Sequence, residues 1–258
     1  MLRFDADLAL EPAGEHRWTV EISPAWDIGD NPNGGYVQAT TLAALGRQLP
    51  HPDPLTATSH FLRPVASGAP AEIVVESVRH GSTVSTGVAS LLQDGKERVR
   101  TLATFTDLDA QHGRTLLRAY PPEWPGPDDC LARDPDTPAP FRFIEQFDIR
   151  LEPGLARTSE TEIGGWIRFA DGRDPDLLSM PLFADGFPPT VMSLGELGWV
   201  PTIELTVHFR AKPEPGWLQA LFVTEVIRDG LFEEDGTIWD ASGRVVAQSR
   251  QLATILQG

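Results

Sequence analysis

The sequence predicts an α+β fold in which one unit occurs twice, each copy a curved antiparallel sheet wrapped around a single helix. Three observations lead there. The first is an internal repeat. His60-Phe61-Leu62-Arg63, Val75-Glu76-Ser77-Val78-Arg79-His80-Gly81, Asp94-Gly95-Lys96 and Leu102-Ala103-Thr104 come back as His208-Phe209-Arg210, Val223-Thr224-Glu225-Val226-Ile227-Arg228-Asp229-Gly230, Ser242-Gly243-Arg244 and Leu252-Ala253-Thr254. Matched residues stay 148 to 150 positions apart. A near-constant offset through four landmarks marks a duplicated supersecondary unit, and two copies are too few for a solenoid. The second is a period of two. In Thr202-Ile203-Glu204-Leu205-Thr206-Val207-His208-Phe209-Arg210 polar and apolar residues alternate, as in a half-buried strand. The third is one helical stretch in each copy, ahead of its long strands.

In chain order, residues 18–22 predict a short strand. Gly34-Gly35 then opens an Ala- and Leu-rich helix over 36–48, closed by Pro50. Strands follow over 56–62, 71–78, 83–93 and 98–105, with Asp94-Gly95 as a hairpin turn between the last two. Residues 107–140 hold Pro121-Pro122, Pro125, Pro127, Pro135 and Pro138 among several acids, which reads as a linker. In the second copy 141–151 and 165–169 predict short strands. Asp174-Pro175 predicts the N-cap and first turn of a helical run over 176–194, which Pro181, Pro188 and Pro189 must bend or interrupt. Strands follow over 202–210, 217–226, 236–239 and 245–255, with the turn Asp240-Ala241-Ser242-Gly243. One apolar helix wrapped by a curved antiparallel sheet is the hotdog architecture, so two units in one chain make a double hotdog. The expected organisation is an N-terminal hotdog at 1–106, a Pro-rich linker at 107–140 and a C-terminal hotdog at 141–258. The two sheets are expected to join edge to edge, which removes two strand edges that invite aggregation.

Composition narrows the function. With 41% hydrophobic and 22% charged residues the chain can bury a core. No apolar run reaches the roughly 18 residues of a membrane span, and the first residues lack a signal-peptide pattern. A single cysteine, Cys130, excludes an intramolecular disulfide. A cytoplasmic location is the expectation. The net charge of −16 argues against nucleic acid and anionic membrane as partners. An anionic small ligand stays compatible with it, because exposed charges are screened within about 10 Å at 0.1 M salt. No His, Cys and acid cluster has metal-ligand spacing, so no metal and no cofactor are expected. No Gly-x-Ser-x-Gly elbow is present.

The residues Ser59-His60-Phe61-Leu62-Arg63-Pro64, Glu76-Ser77-Val78-Arg79-His80-Gly81 and Gln93-Asp94-Gly95-Lys96 resemble the N-terminal half of the bacterial acyl-CoA thioesterase II family. Asn33-Gly34-Gly35-Tyr36 resembles its helix-opening glycine turn. Ala184-Asp185, Thr202-Ile203-Glu204 and Val246-Ala247-Gln248-Ser249-Arg250-Gln251 resemble the signature stretches of the second half. The likeness covers most of 20–107 and 165–256. It implies hydrolysis of an acyl-CoA thioester by a water that an Asp, a Thr and a Gln hold and activate. Carried over by position, these are Asp185, Thr202 and Gln251. It implies acyl-CoA as the small-molecule partner, and a homodimer of double hotdogs is compatible with it.

Thiolates leave readily, so a carboxylate base with Thr and Gln to aim the water is sufficient chemistry. Asp185 lies in the apolar stretch Leu182-Phe183-Ala184-Asp185-Gly186-Phe187, and an acid in such company should have a raised pKa. The plainer reading is an Asp capping a turn before Pro188-Pro189. For Gln251 the plainer reading is a polar residue on the open face of a sheet. Thr202 and Glu204 share one face of a regular strand. That makes Glu204 a rival base, although Thr206, His208 and Arg210 continue the same face toward solvent. Gly34 and Gly35 are candidate oxyanion donors through their backbone N–H groups. On this reading a Gly35→Val change should cost turnover with modest loss of stability. Arg63, Arg79 and Arg228 are candidates for the coenzyme A phosphates, with salt bridges to nearby acids as the alternative. Asp30-Asn31-Pro32 faintly resembles the hydratase hotdogs, but their His is absent. The rivals are therefore a hotdog enoyl-CoA hydratase or dehydratase and a non-catalytic acyl-CoA binder. The helix over 36–48 contains no Asp or Glu, so one working site per chain is expected.

Overall fold

The two copies meet strand to strand. In a computed structural model, which describes residues 2–134, 136–155, 161–194 and 200–255, fourteen strands form one antiparallel sheet. Pro135 of the linker and the last three residues of the C-terminal unit lie outside the described residues. The first half contributes α1 (Arg3–Asp7), β1 (Glu11–Gly14), β2 (Arg17–Glu21), the small ribbon β3 (Asp27–Ile28) and β4 (Asn31–Pro32), and α2 (Gly34–Gln48). It continues with β5 (Asp53–Phe61), β6 (Pro70–His80), β7 (Val84–Gln93) and β8 (Lys96–Thr106). The second contributes β9 (Leu131–Ala132), β10 (Phe147–Leu151), β11 (Glu162–Phe169) and α3 (Met180–Ala184). Its last strands are β12 (Thr202–Phe209), β13 (Leu218–Val223), β14 (Ile227–Arg228), β15 (Leu231–Trp239) and β16 (Val245–Thr254).

The strand order runs β1-β2-β6-β7-β8-β5, then β12-β16-β15-β13-β11-β10-β9, with β14 beside β15. The order on one side of the β5–β12 seam mirrors that on the other. The seam pairs Thr58 with Thr206, two residues that hold matched places in the repeat. Each half is thus a sheet around a helix, and the fold is a double hotdog. Long strands form because β-branched and apolar residues alternate with polar ones. In β7 the burial alternates residue by residue from Val84 to Gln93.

Helix α2 is buried along almost its whole length, with Tyr36, Ala39, Leu42, Ala44 and Leu45 at 1% exposure or less. The sheet covers one side of it and α3 the other. Each Leu so buried contributes roughly 1.5–3 kcal/mol. Asn33 caps the helix, its Oδ1 accepting from the Tyr36 N–H at 2.9 Å. The two glycines are thus the first residues of the helix and not a turn before it.

The second helical region departs from expectation. Its N-cap is Asp176, not Asp174: the Asp176 carboxylate accepts from the Ser179 N–H, and the Ser179 hydroxyl accepts from the Asp176 N–H. The run over 176–194 breaks into a 3-10 turn at Leu177–Ser179, α3, and a 3-10 turn at Thr190–Leu194. Pro188 and Pro189 supply no N–H to continue a helix past Gly186. The strand expected over 141–151 starts only at Phe147, after a 3-10 turn at Arg142–Gln146.

The Pro-rich segment is strapped down. Trp239, Gln219 and Trp166 donate side-chain N–H bonds to the carbonyls of Ala119, Pro122 and Pro125 at 3.0, 2.8 and 2.9 Å. β9 adds an edge strand to β10. Among the described residues no helix is long and apolar enough to cross a membrane.

Candidate active site

At the N-terminal end of α2 a cavity of about 440 Å³ opens between the two halves. Asn33, Gly34, Val37, Phe61 and Arg63 line it from the first half; Asp185, Phe187, Met192, Thr202 and Gln251 line it from the second. Asp185, Thr202, Gln251, Gly34 and Arg63 are therefore brought together. Ala57, Leu205 and Val207 are fully buried.

Asp185 follows the last turn of α3 and faces the start of α2. Its Oδ2 accepts from Asn33 Nδ2 at 2.8 Å and from the Gly35 N–H at 2.9 Å. Asn33 Nδ2 also donates to the Asp185 carbonyl at 2.9 Å. Oδ1 has no hydrogen-bond partner among the described residues and is the oxygen left for a substrate or water. Asp185 keeps a part-exposed edge on the cavity while the protein screens it from bulk water. That desolvation pushes its pKa up to about 6, and the N–H groups of Gly35, Gly34 and Asn33 hold it from rising further. Asp185 is thus ionised at neutral pH and still basic enough to take a proton.

Gln251 lies on the inward face of β16, 5% exposed, with Leu252 pointing out. The open-face reading does not hold for it. Thr202 reaches the same cavity by a bulge. It pairs with Ala253 while Glu204 pairs with Leu252, so β12 carries one extra residue between them. The bulge turns Thr202 inward and leaves Glu204 outward, where it accepts from the Thr206 hydroxyl and pairs in register with His60. The shared face expected for Thr202 and Glu204 is corrected by this bulge, and Glu204 stands on the far side of the sheet from the cavity. The side chains of Thr202 and Gln251 have no hydrogen-bond partner among the described residues.

Two expectations change. The Gly35 N–H is already bonded to Asp185, so it positions the carboxylate and is not a free oxyanion donor. A Cβ on Gly35 would lie 2.1 Å from the Pro181 carbonyl oxygen, because α2 and α3 cross there with backbones in contact. Gly35→Val would disturb packing far more than expected. Of the arginines, Arg63 lines the cavity mouth, its Nη1 donating to the Glu97 carbonyl at 2.8 Å. Arg79, near the end of β6, and Arg228, on β14, are exposed and do not line the cavity. Nothing in the strand alternation separates one exposed arginine from another.

Two residues escape a sequence-only reading. Asn33 caps the helix and holds the Asp185 carboxylate at once. Glu234, on the inward face of β15, is 8% exposed and lies opposite Gln251. The alternation of Phe232, Glu234, Gly236 and Ile238 marks it as inward, provided the strand is started at Leu231 and not at Gly236.

A second hollow of about 570 Å³ lies at the other end of α2, lined by Arg47, Asp53, Asp176 and Lys212 among others. Those charges are paired: Lys212 with Asp53 at 3.1 Å and with the neighbouring Asp109 at 2.5 Å, Asp176 with the neighbouring Arg173, Arg47 with the Leu10 carbonyl. Pro54 stands there where Thr202 stands in the first cavity, each just ahead of a one-residue bulge. The chemistry is concentrated at the Asp185 end.

The chain matches the acyl-CoA thioesterase N-terminal domain over residues 22–106 and the acyl-CoA thioesterase C-terminal domain over residues 127–255. A candidate thioesterase II from Thermobifida fusca YX is 35% identical; the match covers 100% of this chain and 98% of that one, with a TM-score of 0.91. A hot dog fold protein of unknown function from Alicyclobacillus acidocaldarius has a TM-score of 0.89 at 24% identity, covering 99% and 98%. The thioesterase-like protein TwmA of Talaromyces wortmannii is 26% identical over 95% of this chain and 90% of its own length.

Proposed function

The chain belongs to the acyl-CoA thioesterase family, and from that premise we propose that it hydrolyses acyl-CoA thioesters to the free acid and coenzyme A, with Asp185 as the general base. The observation that carries the reading is the state of Asp185. One oxygen is fixed by Asn33 and Gly35, the other is free on the cavity, and the pKa lies at about 6.

A water between Asp185 Oδ1, Gln251 and Thr202 gives its proton to Asp185 as its oxygen attacks the thioester carbonyl. The C–S bond then breaks, and the proton held by Asp185 goes to the departing sulfur. Gln251 and Thr202 aim the water and do not ionise. The positive end of the α2 dipole opens on the same cavity and favours the negative charge that develops on the carbonyl oxygen. Arg63, at the mouth, is our candidate for contact with a coenzyme A phosphate. The apolar walls, Phe61, Val37, Phe187 and Met192, suit an acyl chain. No histidine lines this cavity among the described residues, which weighs against the hydratase reading.

Thiol release from a panel of acyl-CoA thioesters is the test. The wild type should turn over at least one. Asp185→Asn keeps shape and hydrogen bonding but loses basicity, so turnover should fall about 10²- to 10⁴-fold. Gln251→Ala and Thr202→Ala should each cost less. Tight binding with no turnover by the wild type would make the protein an acyl-CoA binder, and hydration of crotonyl-CoA would make it a hydratase.

A further inference from the structure

The walls of the cavity lead inward to a buried polar cluster. On α2, Gly34 and Val37 line the cavity, and Gln38 and Thr41 continue the same stripe of the helix one turn deeper. From the mouth inward, Arg63 and Phe61 line it, and Ser59 is the next side chain on that face of β5. The Phe61 ring lies beside Asp185: a Cβ on Gly34 would meet Phe61 at 3.0 Å and Asp185 Oδ2 at 3.1 Å. Two residues along the strand set Ser59 about 7 Å deeper than Phe61. Gln38, Thr41, Ser59 and Thr101 are fully buried, and the direction of every bond among them is fixed. Gln38 Nε2 donates to the Leu205 carbonyl and to Ser59 Oγ, both at 2.9 Å. A carbonyl can only accept, so the amide end facing Leu205 is the nitrogen. Thr41 Oγ1 donates its proton to the Gln38 carbonyl at 2.8 Å. It therefore accepts from Thr101 Oγ1 at 2.8 Å, and Thr101 accepts from Ser59 Oγ at 2.7 Å. The donors form a closed ring that leaves Gln38 by its side chain and returns to its backbone. The ring holds the amide in one place, although Oε1 is buried without a partner. Through Leu205 the same amide ties α2 of one half to β12 of the other. Two other sides of the cavity give no way inward. α3 meets α2 backbone to backbone at Gly35, and Met192, on the second-half wall, is 51% exposed.

We infer that Gln38 is a specificity-determining residue that ends the acyl pocket, so that the protein hydrolyses short acyl-CoA thioesters of the butyryl class and rejects long ones. This role presupposes the hydrolytic reading above. An acyl chain running inward from Asp185 meets the held amide after about 7 Å, a depth that takes a butyryl chain and not an octanoyl one. To go further it must push Gln38 aside. That strips a donor from Ser59 and another from the Leu205 carbonyl inside the core, where nothing replaces them. A methylene that a pocket accepts or refuses changes kcat/KM by about 10- to 200-fold, so a fixed floor is enough to set a sharp limit.

The test is kcat/KM for acetyl-, butyryl-, octanoyl- and palmitoyl-CoA, read by thiol release, with wild type and Gln38→Ala. The wild type should prefer butyryl-CoA and be at least about tenfold poorer with octanoyl-CoA. Gln38→Ala removes the amide and deepens the pocket. Octanoyl-CoA should then improve about tenfold, while acetyl-CoA stays within about threefold. A residue that only stabilises the fold would lower all four substrates together, and that result overturns the role. So does a folded Gln38→Ala protein with an unchanged profile, or a wild type that hydrolyses palmitoyl-CoA as well as butyryl-CoA. Should Gln38→Ala fail to fold, Gln38→Val leaves a smaller cavity and should shift the profile the same way. Calorimetry of butyryl- and octanoyl-CoA binding to Asp185→Asn tells the length limit apart from the chemistry. Tighter binding of butyryl-CoA supports the limit even if the wild type releases no thiol, and tighter binding of octanoyl-CoA overturns it. An active wild type with no preference for short chains overturns the limit and leaves the hydrolytic reading standing.

Discussion

A carboxyl group taken out of water prefers its proton, and the protein holds two such groups, Asp185 and Glu234, near enough for the charge of one to act on the other. Both have pKa values raised above the ordinary carboxylate range, to about 6 and about 7. The folded chain therefore binds these protons more tightly than the unfolded chain. Their stabilising contribution is complete below the unfolded pKa, near 4, and is lost as pH rises through the folded values. Asp185→Asn should consequently melt higher than the wild type at neutral pH. The gap should widen between about pH 4.5 and pH 7.5, read by thermal melts at matched pH. A constant gap would mean that Asp185 is not titrating in that window. The same base should make hydrolysis fall away below pH 6, so activity and stability pull in opposite directions at this residue. Asp185 is legible in the sequence because an acid in an apolar stretch is conspicuous. Gln251 is legible only through family resemblance, since a polar residue near a strand end is normally solvated. Glu234 hides inside a strand whose other acids, Glu233 and Asp235, point outward.

Between elements, the decisive contact is the crossing of α2 and α3. The crossing is close enough for the Gly35 N–H to reach Asp185 only because position 35 has no Cβ. Gly35→Ala should destabilise by about 1–3 kcal/mol, the range for overpacking, with Asp185 displaced at the same time. Both the melting temperature and kcat should drop. A Gly35→Ala protein as stable as wild type would show that the crossing has room. The long strands could be placed from alternation alone, because period two survives wherever one face is buried. The bulge at Ile203 could not. The residues from Thr202 to Arg210 alternate without a fault, and an extra residue leaves no mark in such a pattern. The second helix, too, is only partly legible: prolines announce that it breaks, but not that a mere five residues stay α-helical.

For the molecule as a whole, the repeat offset already implies two like units, and the mirrored strand order bears this out. The site is shared, with Asn33 and Gly35 from one half and Asp185, Thr202 and Gln251 from the other. Calorimetry should show a single cooperative transition. Residues 1–106 and 107–258 produced separately should each be insoluble or unfolded, because each would expose a seam strand and one side of a helix. Two soluble, folded halves would contradict this.

The β5–β12 seam should also set the time course of folding. Its Thr58–Thr206 contact joins residues 148 apart, and the Asn33–Asp185 contact spans 152. Closing loops of that length is entropically costly before any contact rewards it, and folds dominated by distant pairings mature slowly. The hairpins β6–β7, β7–β8 and β15–β16 are local and can form early. After dilution from denaturant, circular dichroism should therefore recover ahead of thioesterase activity, with the Asp185 carboxylate the last group to reach its donors. The chain would pass through a stage that is largely sheet and still chemically inert.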